Sequence, residues 1–128
     1  MQNELPILIV GAGPVGLSLA LGLARQGIPV SVFEAEDDLS QEMRASTLHA
    51  STMEMFAEWG AAEAIVKAGR IADRLQYWER SSKTKIAEFS YDLIAGDTAF
   101  PFRLQCPQNI VTRTLRTALE QLDCCQLH

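Results

Sequence analysis

Three glycines in six residues, Gly11-Ala12-Gly13-Pro14-Val15-Gly16, constrain this chain more than any other feature. They follow an apolar run rich in β-branched residues, Ile7-Leu8-Ile9-Val10, which reads as a parallel strand covered on both faces. They open a segment, Pro14 to Gln26, that reads as a helix with proline in its first turn and Gly27 as its stop. Val30-Ser31-Val32-Phe33 is then a second buried strand, and the unit has the form of a right-handed strand–helix–strand crossover. Each glycine has a mechanical reason to be there. Gly11 allows the tight turn out of the strand, Gly13 lets backbone approach a pyrophosphate with no Cβ in the way, and Gly16 lets helix and strand pack closely. A pyrophosphate at Gly13, Pro14 and Val15 would meet the free N–H groups and positive dipole end of the helix. Glu34, 23 residues after Gly11, brings a carboxylate to where a ribose hydroxyl would sit, with Ala35 beside it. The pattern in register predicts dinucleotide binding. An acid at position 34 argues against a 2′-phosphate there and does not separate FAD from NAD.

Three other destinations are argued against by the sequence. The twenty residues from Leu5 to Ala24 carry no charge, about the length of a membrane helix, but glycine and proline break the run in its middle. The opening Met1-Gln2-Asn3-Glu4 is acidic where a signal peptide is basic, so neither a membrane span nor secretion is expected. A net charge of −5 with no run of Lys and Arg argues against a nucleic-acid partner. Cys106, Cys124 and Cys125 fall at no metal-ligand spacing and read as buried or half-buried thiols of a reducing, cytoplasmic compartment; no metal is expected.

The rest of a chain of 128 residues, enough for one core, changes period several times. A polar, acid-rich loop runs from Ala35 to Met43. A helix follows with Leu48, Thr52, Met55, Phe56 and Trp59 on one face, ended by Gly60 and succeeded by a short helical stretch from Ala61 to Ala68. Arg74–Arg80 and Lys85–Tyr91 read as two strands of an antiparallel hairpin, where a nicotinamide dehydrogenase would continue alternating strands and helices. Past a turn at Gly96-Asp97, an amphipathic helix starts near Gln108 and buries Val111, Leu115, Ala118, Leu119 and Leu122; Cys124 to Leu127 begins a strand. Asp97 and the acids between 36 and 42 read as solvated, and His49 as a packing or capping residue.

On three matches the chain resembles the flavin-dependent aromatic hydroxylases, the group that includes the p-hydroxybenzoate, phenol and ubiquinone-pathway hydroxylases. They are Gly-Ala-Gly-Pro-Val-Gly-Leu with Val32-Phe33-Glu34; Arg44-Ala45-Ser46-Thr47-Leu48 leading into Thr52-Met53-Glu54-Met55-Phe56 and Trp59-Gly60; and Pro107-Gln108 at the late helix. The first is shared with many flavoproteins, the other two are more specific, and Val111 stands where relatives often carry glutamate. The resemblance implies an α/β, Rossmann-like FAD-binding fold of the glutathione-reductase type, with a parallel sheet plus an antiparallel hairpin. It implies that residues 1–128 are the N-terminal portion of an FAD-binding domain, with the rest of that domain and a substrate domain outside the chain. Arg44 would set its planar guanidinium against the FAD pyrophosphate and Gln108 would hydrogen-bond the ribityl or pyrophosphate region. The implied activity is hydroxylation of a small aromatic, phenolic substrate with NAD(P)H and dioxygen. The catalytic residues would lie outside this chain. Alternatives are another FAD-dependent oxidoreductase of the same cofactor fold, such as an amine oxidase or halogenase, an NAD-dependent dehydrogenase half, or a nucleotide-binding piece without activity. A self-associating, inactive polypeptide is expected from these residues alone.

Overall fold

The computed structural model describes residues 5–39 and 45–128. The glycine-centred unit forms as its sequence dictates. Strand β1 (Ile7–Val10) leads through the turn into helix α1 (Pro14–Ala24), and β2 (Val30–Phe33) returns parallel to β1 with Ile7 opposite Val30 and Val10 opposite Phe33. Gly27, at φ +76°, ends the helical path in the left-handed region that side chains avoid.

Three further α-helices and six strands follow among the described residues. Helix α2 (Ala50–Glu58) and α3 (Ala62–Ala68) are separated by a tight turn, and strands β3 (Thr47–Leu48), β4 (Arg70–Ala72) and β7 (Arg103–Gln105) form an antiparallel sheet in the order β3-β7-β4. Strands β5 (Arg74–Trp78) and β6 (Lys85–Ser90) make a separate hairpin. Helix α4 (Gln108–Leu119) leads to β8 (Cys125–Leu127), which pairs parallel with β2 and completes the order β1-β2-β8.

One core joins these layers. Leu17, Ala20, Leu21 and Ala24 of α1 meet Val30 and Val32 of β2 and Val111, Leu115 and Leu119 of α4. Met53, Phe56 and Ile65 extend it under α2 and α3. Helix α1 accepts the Trp59 indole because position 22 is glycine: a Cβ there would come within 2.9 Å of the ring.

The structure departs from the expected pattern in four places. Leu48 is not the first residue of a helix; Thr47 and Leu48 pair with Gln105 and Leu104, and α2 starts only at Ala50. The helix phase therefore shifts. Met53 and Phe56 are buried while Met55 is 42% exposed. The β3-β7-β4 sheet was not anticipated, because strands of two or three residues carry no period to read. The hairpin strands end at Trp78 and Ser90, and Tyr91 opens a 3₁₀ turn whose Asp92 N–H is accepted by Ser90. Strand β1, expected to be covered on both faces, buries only Ile9; Leu8 is 66% and Val10 88% exposed. Among the described residues no helix is long and apolar enough to cross a membrane, and no His, Cys, Asp and Glu cluster could hold a metal.

Candidate functional site

The site begins at the turn between β1 and α1. Gly11 sits at φ +98°, where its N–H donates to the Phe33 carbonyl at 2.7 Å and the chain can swing from strand into helix. A Cβ on Gly16 would run into the Gly11 carbonyl oxygen, so the helix rests on the turn at glycine distance. At Gly13 the opposite holds: a Cβ would meet nothing within 4 Å. Gly13 occupies the N-cap of α1, no side chain caps that end, and no acid lies in the first turn. The helix thus presents uncapped N–H donors and its positive end to open space, which suits an anion. Pro14 follows the turn, and Val15 is 80% exposed on the first helical turn.

Glu34 faces this turn from the end of β2. One carboxylate oxygen accepts the Ala12 N–H at 2.6 Å; the other accepts the N–H groups of Ala35 at 2.8 Å and Glu36 at 3.2 Å. The Ala12 bond is the strongest influence holding this carboxyl below the ordinary carboxylate range; the Glu36 bond adds to it, burial opposes it, and the Ala35 bond adds least.

Gln108 reaches the same place from α4. Its backbone N–H donates to the Ala45 carbonyl at 3.0 Å, and it lines a narrow crevice of about 70 Å³ with Ala12, Gly13, Glu34 and Thr112. On one side this crevice continues into a hollow of about 310 Å³ bordered by Glu34, Ala35, Arg116, Leu127 and His128. On the other lies a small pocket of about 90 Å³ bordered by Pro14, Thr47, Cys106 and Gln108. Arg44 lies outside the described residues; its neighbour Ala45 is placed against the start of α4.

Asp38 is solvated as expected, at 66% exposure, and its carboxylate also lies 3.8 Å from both Arg113 and Arg116, tying the loop after β2 to α4. The signal for this was the spacing of the two arginines on one helix face, which the apolar pattern of α4 overshadowed. His49 stands at the N-cap of α2 but makes no side-chain cap bond, and it is exposed. Asp97 is exposed as expected. Cys106 is buried, which pushes its thiol up, while Cys124 donates weakly to the Ala24 carbonyl at 3.3 Å. Val111 is buried in the core.

Comparison with known proteins follows the same geometry. The family model described as FAD binding domain matches residues 4–128. The 6-hydroxy-3-succinoylpyridine 3-monooxygenase of Pseudomonas putida is 33% identical over 122 residues, which is 95% of this chain and 31% of that protein. The crystal structure of p-nitrophenol 4-monooxygenase from Pseudomonas putida superposes with a TM-score of 0.88 at 28% identity, covering 96% of this chain and 31% of that one. The ternary complex of aklavinone-11 hydroxylase with FAD and aklavinone superposes with a TM-score of 0.76 at 27% identity, covering all (100%) of this chain and 26% of that one. The chain therefore spans less than a third of the length of these relatives, at most 31%.

Proposed function

This chain belongs to the FAD binding domain family of the flavin-dependent aromatic monooxygenases, and from that premise we propose that its protein hydroxylates an aromatic ring bearing an acidic hydroxyl or carboxyl group, with NAD(P)H and dioxygen as co-substrates. The observation that carries the reading is the convergence of three elements on one groove: the uncapped N-terminus of α1, the Glu34 carboxylate and Gln108. Two of the relatives are named for ring substrates with acidic groups, a nitrophenol and a hydroxypyridine carrying a succinoyl chain.

The donor set fits FAD. Gly11, Gly13, Pro14, Val15 and Gly16 cradle the pyrophosphate, Gly13 leaving open the approach that a Cβ would fill. Glu34 takes a ribose hydroxyl, with Ala35 beside it walling the adenosine end. Arg44 would neutralise the pyrophosphate, and Gln108 would hydrogen-bond the ribityl or pyrophosphate region. When bound, the flavin supplies the redox chemistry that accepts a hydride and activates dioxygen; the chain's own residues bind and orient it. Residues 1–128 act as the N-terminal portion of the cofactor domain, in a protein we place in the cytoplasm.

The test is direct. Protein expressed from the full reading frame should be yellow and release FAD, without a covalent bond, on denaturation. A colourless supernatant, or NAD in place of flavin, would falsify the cofactor assignment.

A further inference from the structure

The antiparallel sheet that the sequence did not announce buries Leu104 on one face and carries mostly polar side chains on the other. Leu104 at the centre of β7 is fully buried, so its strand neighbours Arg103 and Gln105 point to the opposite side. Paired residues share a face, which adds Thr47 of β3 and Arg70 of β4, both opposite Gln105, and Ala72 opposite Arg103. Arg70 therefore lies diagonal to Arg103, two like charges on neighbouring strands of a chain whose net charge is −5.

Among the described residues no carboxylate lies within ion-pair distance of either arginine. Arg103 makes one bond at the limit of hydrogen-bond length, from Nη2 to the Thr47 hydroxyl at 3.5 Å, and its buried Nε has no partner at all. Thr47 and Gln105 are meanwhile fixed to each other and to Ser46: the Gln105 amide donates to Thr47 at 3.0 Å and accepts from the Ser46 hydroxyl at 3.0 Å. A guanidinium held beside a rigid amide–hydroxyl lattice, with a desolvated donor unused, is arranged for an acceptor that arrives from outside.

The position of this face says which acceptor. Cys106 and Gln108 donate their backbone N–H groups to Ser46 at 2.6 Å and Ala45 at 3.0 Å, so the polar face continues from the segment that carries Gln108. Along the groove the order is His128 and Glu34, then Gly13 and Gln108, then Thr47. A dinucleotide with its adenosine ribose at Glu34 therefore directs its other end toward Thr47 and Arg103. We propose that Arg103, supported by Thr47 and Gln105 and reinforced by Arg70, binds the anionic oxygen (phenolate or carboxylate) of the aromatic substrate. This deepens the function proposed above and rests on its orientation of the cofactor.

The experiment measures equilibrium dialysis of two anions, 4-nitrophenolate and 4-hydroxybenzoate, and of uncharged nitrobenzene and 4-hydroxybenzamide. It uses flavin-loaded protein from the full reading frame, with FAD content determined separately. Arg103→Met should weaken both anions by about 10- to 100-fold, the range for one charged hydrogen-bonded contact, and the uncharged analogues by less than about 3-fold. Arg103→Lys should fall between, since it keeps the charge and loses the fork. Arg70→Met should show a smaller loss with the same charge preference. Because Nε has no partner to lose, the ligand-free Arg103→Met protein should unfold no earlier than wild type. Equal losses for charged and uncharged probes, or no binding of either anion to wild-type protein, overturn the proposal. So does loss of FAD from Arg103→Met with the anion preference intact, which would assign the guanidinium to the cofactor. Wild-type protein that lacks flavin yet shows the Arg103-dependent preference would remove the cofactor reading and leave this site standing.

Discussion

Glu34 accepts the backbone N–H of Ala12 at 2.6 Å across 22 residues of chain, so the end of the second strand grips the glycine turn directly. The carboxylate proposed to meet a ribose also shapes the loop proposed to meet the pyrophosphate. Glu34→Gln should therefore lower FAD affinity by roughly 10- to 100-fold, the effect of weakening one charged hydrogen bond. Its folded-state pKa lies below the ordinary 4.5, so its contribution is complete above that value and fades as pH falls through the lowered one. Acid titration of unfolding in wild type and Glu34→Gln should show that sensitivity only in wild type.

Gly13 and Gly16 should fail in different ways. A Cβ at Gly16 collides with the Gly11 carbonyl, so Gly16→Ala should destabilise the fold by about 1–3 kcal/mol, the usual range for overpacking. A Cβ at Gly13 meets nothing within 4 Å, so Gly13→Val should unfold near the wild-type temperature yet bind FAD much more weakly. Thermal unfolding alongside FAD titration separates the two; similar melting of both variants contradicts the packing described for the turn.

On the hairpin, Glu88 receives hydrogen bonds from Lys85, Gln76 and Arg74 that lower its carboxyl from 4.5 to about 2. Its contribution to hairpin stability should be complete above about pH 4.5 and disappear as pH falls toward 2. Carbon-detected NMR titration of the side-chain carboxyl should give a midpoint near 2, and a midpoint at the ordinary value would show the three partners to be mobile.

The polypeptide of 128 residues should self-associate. Strand β1 is an edge of its sheet, and Leu8 and Val10, at 66% and 88% exposure, leave an apolar strip beside its unpaired backbone. Light scattering should show dimers or larger species, and Leu8→Lys should shift them toward monomer. A clean monomer in the unsubstituted chain speaks against it.

How much was readable depended on distance along the chain. The β1–α1–β2 unit was legible because its signals are local: glycines at fixed offsets, an apolar run before them and a breaker after. Helix α4 was legible because Val111, Leu115 and Leu119 keep the helical spacing over three turns. The β3-β7-β4 sheet was not, since Thr47 and Gln105 meet across 58 residues in strands too short to show a period. That one pairing also explains why Leu48 reads as part of α2, whose buried face keeps Phe56 but takes Met53 in place of Met55. Within the site, Glu34 and Gln108 were marked by motif, while the tie of Asp38 to α4 depends on tertiary placement that no local pattern reports.

Strand β2 has a consequence for the order of synthesis. Its Val30 N–H is accepted by Cys124, its Val32 carbonyl accepts from His128, and the Glu34 N–H reaches back to the His128 carbonyl. The first half of the nucleotide loop leaves the ribosome early, but the strand that fixes Glu34 in place emerges only with the last residues described. A nascent chain halted before Asp123 carries the whole glycine turn and lacks its anchor. Arrested chains of increasing length, probed by brief proteolysis, should gain protection around Glu34 only once Leu127 has cleared the exit tunnel.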